Sequence, residues 1–416
     1  MDHNKRIPLL AGILALALVA TLALSGMGSR YAAQGDIATS TQPPTPEGNG
    51  GTATWTIGEP SFESNYPRGF TISLNAESSA GRITGATVFW QHSPKLRNRV
   101  PGKVAADGKS VIAVADRVQV PQWVAVTYWW VLTDEKGNSY QTERRDTLYE
   151  DNTRVWNHLE SEDLVIYWQQ GVPDKVGELA VKAMDKARPI YRQRWAKPLG
   201  YRPHAIIYAD YATWEEWNRG VGTSVGGVVT AGQTSDSWGG TAQVWLPSYY
   251  DAETLADDII VHEVAHLYQY ANGGTGQDFW FFEGNATYFE LLSGASKLER
   301  VRDLARSGEL PSLQAGGPSA RGRFALDAYN IGYAFWLWVE ETYGVDAHKL
   351  IWKLIDEGRG WKNALETVTQ LNFIDMETAF RAWAGATNAV APTPIPSPTM
   401  FFFPSPTYEP TSTPKP

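Results

Sequence analysis

Cysteine is absent from all 416 residues. That excludes disulfides, thiolate metal sites, a cysteine nucleophile and a lipidated N-terminal cysteine, and it leaves the redox compartment open. Positive charge is also scarce: 36 Lys and Arg stand against 45 Asp and Glu, a net charge of −9, with no long basic run. Phosphate backbones need clustered cations, so nucleic acid is not an expected partner. A long apolar run occurs at PLLAGILALALVATLALS, residues 8 to 25, behind Lys5 and Arg6. Its length lies between a signal-peptide core and a minimal membrane span, so residues 1–30 read as a membrane anchor or a signal peptide. Positive charge ahead of the run keeps that end in the cytoplasm, which places the rest in an extracytoplasmic setting, anchored to the membrane or secreted.

Aromatic residues, by contrast, are abundant, with 18 Trp and 19 Tyr. Residues 31–52 are rich in Pro, Gly, Ser and Thr and read as a flexible linker; residues 391–416 repeat Pro with Ser or Thr and read as a disordered tail, with an apolar patch at Met400 to Phe403. Between them the chain is too long for one ordinary core. From 53 to 150, runs such as RGFTISLNA, ITGATVFWQ and WVAVTYWWVLT cluster or alternate β-branched and aromatic residues between turn signals at Ala106–Lys109 and Asp134–Asn138. Six or seven such strands predict an immunoglobulin-like β-sandwich whose Trp residues either fill the core or form a carbohydrate-binding face. From 156 to 390 strands come first (DLVIYW, HAIIYA, VVTAG, AQVWLP) and helices follow, the order of an α+β domain.

The segment ETLADDIIVHEVAHLYQYANGG has helical spacing and stops at Asn272-Gly273-Gly274. On such a helix His262 and His266 are one turn apart, so both imidazoles can reach one ion, while Glu263 points about 100° further round and is free to act as a base. Downstream, QDFWFFEGNATYFELL offers Asp278, Glu283 and Glu290 as a further carboxylate, with Glu283 opening a helical stretch over Ala286, Phe289 and Leu292. The metzincin pattern is absent, because Gln269 and Asn272 stand where Gly and His are required. His158, His204 and His348 lack neighbouring ligand types and read as structural or surface residues.

His262-Glu263-Val264-Ala265-His266 followed by Trp280-Phe281-Phe282-Glu283-Gly284-Asn285-Ala286-Thr287-Tyr288 resembles the gluzincin zinc metallopeptidases, and within them the bacterial peptidase MA-like proteins. The resemblance implies a zincin-like domain in which His262, His266 and Glu283 hold Zn2+ and Glu263 is the general base for hydrolysis of a peptide or protein substrate. Thermolysin-like relatives carry an acidic residue four positions after the ligand glutamate to support a histidine. Here Thr287 stands in that place, which leaves Glu290 or Asp258 as replacements. A tyrosine in a similar helix of peptidase MA-like proteins makes Tyr329 the first candidate for oxyanion stabilisation and Tyr333 the second.

Two imidazoles and a carboxylate leave the fourth position of a tetrahedral zinc open to water, whose proton Glu263 would accept. The region from Gly226 to Gly240 is expected to supply either an edge strand for an extended substrate, with VVTAG as the edge and TSDSWGG as its rim, or a simple hairpin. Two other readings share these residues: a surface binding or scaffold protein with a structural or absent metal, and a zinc amidase acting on cell-wall material.

Overall fold

The computed structural model describes residues 53–93, 96–218, 224–225, 228–229, 232–292, 294–314, 316–320 and 323–388. The N-terminal apolar segment, the linker and the Pro-rich tail lie outside them.

Two five-stranded antiparallel sheets come first. One orders Trp55–Ile57, Gly69–Ser78, Ser110–Asp116 and Lys103–Val104, with Ser61–Ser64 also on Gly69–Ser78; the other orders Arg145–Tyr149, Val124–Asp134, Ile83–Ser93 and Leu96–Pro101, with Ser139–Gln141 on Val124–Asp134. Residues 139 to 149 thus contribute two separate short strands, Ser139–Gln141 and Arg145–Tyr149. Alternate residues Phe70, Ile72, Leu74 and Val124, Val126, Tyr128, Trp130 close the core between the sheets, as period-two patterning requires. Trp129 and Trp130 are both buried. Trp129 points to the other face but lies under Arg144, whose guanidinium carbon is 4.5 Å from the ring centroid.

A third sheet is mixed, ordered Trp156–Glu160, Val165–Gln169, His204–Tyr208, Gly240–Val244, Gly232–Ser235, parallel in its two central pairings and antiparallel at both ends. Both faces are covered, which is why VIYWQ and HAIIY are near-continuous apolar runs. Ile166, Trp168, Ala205 and Ile207 face the helices; Ile206, Tyr208, Ala242 and Val244 join the sandwich core. His204 belongs to this junction: its Nδ1 bonds the carbonyl of Trp123, whose ring stacks on Tyr167 at 4.9 Å. His158 is exposed on the outer strand.

The remainder is helical. Lys175–Arg194 buries Val176, Ala180, Ala183, Ala187 and Tyr191, the stripe its spacing predicts. Val261–Ala271 carries the two histidines and Phe279–Tyr288 the glutamate, with Asp327–Tyr343 crossing behind. Among the described residues no helix is long and apolar enough to cross a membrane.

Candidate metal centre

The histidine helix is buried all round. Val261, Val264, Ala265 and Leu267 pack into the core, and His262, Glu263, His266 and Gln269 are also fully buried, so every polar group on it needs a partner. One turn of π-helix, Leu255–Ile260, precedes it and shifts the phase of the helix just before His262. The chain leaves at Asn272, turns through Gly273 at φ 81°, and returns as Phe279–Tyr288. Trp280, Phe281 and Ala286 anchor that second helix, leaving Glu283 facing the histidines; Phe289 packs below it, whereas Leu292 is exposed.

Three ligand atoms converge. His262 Nε2 and His266 Nε2 lie 3.1 Å apart, and Glu283 Oε2 is 3.3 Å from the first and 3.5 Å from the second. These residues form a fully buried donor set able to hold a metal ion. Asp278 is outside it, at the start of the glutamate helix and 3.8 Å from Lys362.

An outer ring orients the donors. Glu290 Oε1 lies 2.8 Å from His262 Nδ1 and its other oxygen pairs with Lys297. A carboxylate only accepts, so Nδ1 carries the hydrogen and Nε2 turns inward. His266 Nδ1 donates to Gln269 Oε1 at 2.6 Å; Gln269 Nε2 donates to Phe282 O and Asn285 Oδ1; Asn285 Nδ2 donates to His348 Nε2 at 3.0 Å. His348 is therefore a buried support three bonds from the centre, not a surface group. Burial pushes its imidazole well below the ordinary value, which keeps it a neutral acceptor. Thr287 gives its hydroxyl proton to Glu283 O, and Asp258 accepts from Leu292 N, so of the two candidate replacements Glu290 is the one at His262.

The electrostatics follow from three buried carboxylates facing two imidazoles. Burial works against charge on His262, but hydrogen bonds to Glu283 and Glu290 hold it up to about 10. Glu283 and Glu290 resist the same burial and drop to about 2, Glu283 through His266 and His262, Glu290 through Lys297 and His262. A field that favours a proton on His262 this strongly also favours a divalent cation in its place. Glu263 goes the other way: burial pushes its carboxyl up, tempered by the two imidazoles and Thr234.

Tyr329 sits beside the donors, its ring centroid 6.1 Å from that of His262. Burial first, then the charges of Glu283, Glu263 and Glu290, pushes its phenol well above the ordinary value, so it keeps a proton to donate. Tyr333, one turn on, has its hydroxyl beside Gly294.

The expected edge strand is shifted along the chain. Val228–Val229 pairs with Ser224–Val225, and the strand beside the centre is Gly232–Ser235, which pairs with Gly240–Val244. Thr234 on it donates to Glu263 Oε2. No spacing rule pointed to Thr234, because strand pairing brings it to the helix; Gln269, by contrast, lies one helical turn after His266 and was legible in principle.

Replacing Glu290 by Gln is expected to lower metal affinity about 10- to 100-fold, since the charged acceptor that orients His262 is lost. Competition against a chromophoric chelator measures this, and an unchanged affinity would remove Glu290 from the centre.

No protein-family model matches the chain, and no curated protein matches it. Among solved structures, native yeast LTA4 hydrolase aligns with a TM-score of 0.34 at 11% identity, covering 83% of this chain and 69% of that one. The yeast LTA4 hydrolase complex with bestatin gives 0.33 at 9% identity, covering 82% and 68%. A polysaccharide deacetylase from Bacillus cereus gives 0.19 at 8% identity, covering 37% and 51%. The likenesses are too slight to carry a functional argument, which rests on the centre itself.

Proposed function

We propose that the chain is a zinc-dependent peptidase of the gluzincin type, acting outside the cytoplasm. One observation carries this reading. Zinc bonded tetrahedrally at about 2.0–2.2 Å needs ligand atoms about 3.3–3.6 Å apart. The His262, His266 and Glu283 atoms stand 3.1, 3.3 and 3.5 Å apart, with each histidine turned inward by an acceptor on its other nitrogen. Zinc held there would supply a Lewis acid for the scissile carbonyl and acidify a water.

The chain's own residues supply the rest. Glu263 is fully buried beside the triad without being part of it, and its Oε1 has no hydrogen-bond partner among the described residues. That oxygen accepts the proton of the attacking water and returns it to the departing amine nitrogen. The Tyr329 phenol donates to the oxyanion that develops on the carbonyl. The two N-terminal sheets, residues 53–150, are read as an immunoglobulin-like module ahead of a zincin-like domain spanning 156–390, and residues 1–30 as its membrane anchor or signal.

Metal analysis of the purified protein and hydrolysis of a mixed peptide library, with and without a chelator, test the reading. One zinc per chain and chelator-sensitive cleavage are expected. Stoichiometric zinc without cleavage favours the binding or scaffold reading; no zinc at all removes the ligand assignment.

A further inference from the structure

Glu263 has two carboxylate oxygens, and the protein treats them differently. Oε2 accepts the hydroxyl proton of Thr234, while Oε1 has no partner among the described residues. The terminal torsion of a glutamate is broad, so an untethered carboxylate swings and exchanges its oxygens. A buried donor on one oxygen stops that.

Thr234 is well placed for the task. It is 2% exposed, on the strand Gly232–Ser235 bordering the centre, and lies across from Thr241. Thr241 gives its own proton to Gln243 Oε1 at 3.2 Å and does not compete for Glu263. Two residues before Thr234 on the same face, Gly232 keeps space beside the other oxygen: a Cβ there would stand 3.5 Å from Glu263 Oε1 and 3.1 Å from Gln243 Cγ. The strand thus holds Oε2 with a hydroxyl and leaves room at Oε1.

Building on the peptidase reading, we infer that Thr234 is the positioning residue of the general base, fixing Glu263 through Oε2 so that Oε1 alone meets the attacking water. Thr234 itself transfers no proton to substrate. A hydroxyl that merely satisfied a buried carboxylate would affect stability and leave turnover per folded molecule unchanged.

Thr234→Val removes the hydroxyl at nearly constant volume, and Thr234→Ser keeps it. With the full chain, the Val variant is expected to bind zinc as tightly as the wild type and keep KM, while kcat falls about 10- to 100-fold, the range of a hydrogen bond to a charged group. The Ser variant is expected to recover most of the rate. A second readout needs no turnover: in the zinc-free protein, the denaturant midpoint change caused by Thr234→Val should largely vanish in a Glu263→Leu background, because the partner is gone. Unchanged kcat in the Val variant, no rescue by Ser, or an equal midpoint change in both backgrounds each overturns the inference. Absence of any hydrolysis by the wild type overturns the peptidase reading instead, and the role of Thr234 with it.

Discussion

Glu263→Gln is expected to keep zinc and lose hydrolysis, with kcat down about 10²- to 10⁴-fold, the usual contribution of a positioned proton acceptor. Zinc should stay because Glu263 is not one of the three converging atoms, which belong to His262, His266 and Glu283. The fold should stay because the glutamine carbonyl can still accept from Thr234, and because removing a charge from a fully buried position relieves a desolvation cost. What disappears is basicity at Oε1. Metal content per chain, melting temperature and initial rates on a cleaved peptide separate the three effects. A variant that binds zinc, melts like the wild type and still turns over at the parental rate would show that Glu263 is not the base. A variant that loses zinc would show that the donor set reaches beyond the triad.

Much of this centre was legible in the sequence because helical geometry is local. His262 and His266 share a face by virtue of spacing alone, and the Asn272-Gly273-Gly274 stop placed the reversal that brings Glu283 back. Choosing Glu283 over Asp278 took the motif around it. The second tier was less accessible. Glu290 stood as one of two replacements for the missing support, and only the packing of the glutamate helix decided between it and Asp258. His348 looked isolated because its partner, Asn285, is 63 residues away in sequence. Thr234 and the shifted edge strand depend on pairing register, which a Gly-rich stretch specifies weakly. The same limit applies to the junction between the sandwich and the mixed sheet, where Trp123, Tyr167 and His204 come together from three separate segments.

Gly284 and Gly332 decide whether this second tier can form at all. The glutamate helix and the helix bearing Tyr329 cross with these two glycines in contact: a Cβ on Gly284 would lie 2.1 Å from Gly332 Cα, and one on Gly332 would lie 2.0 Å from Trp280 O. Neither obstacle is the end of a flexible side chain; both are backbone, so the helices must move apart. Helix axes usually stand 8–10 Å apart, and a glycine pair lets the backbones approach more closely. In an exposed helix Gly→Ala raises stability by about 1 kcal/mol. Here the sign is expected to reverse, with Gly332→Ala destabilising by about 3 kcal/mol or more, at or beyond the upper end of ordinary overpacking. Glu283 immediately precedes Gly284, and Tyr329 lies three residues before Gly332, so separation of the helices displaces a metal donor and the phenol together. Zinc affinity should therefore fall along with the denaturant midpoint, although neither glycine touches the donor atoms. A Gly332→Ala protein as stable as the wild type, with undiminished zinc affinity, would show that the crossing has slack and that the Glu283 position is set by the histidine helix alone.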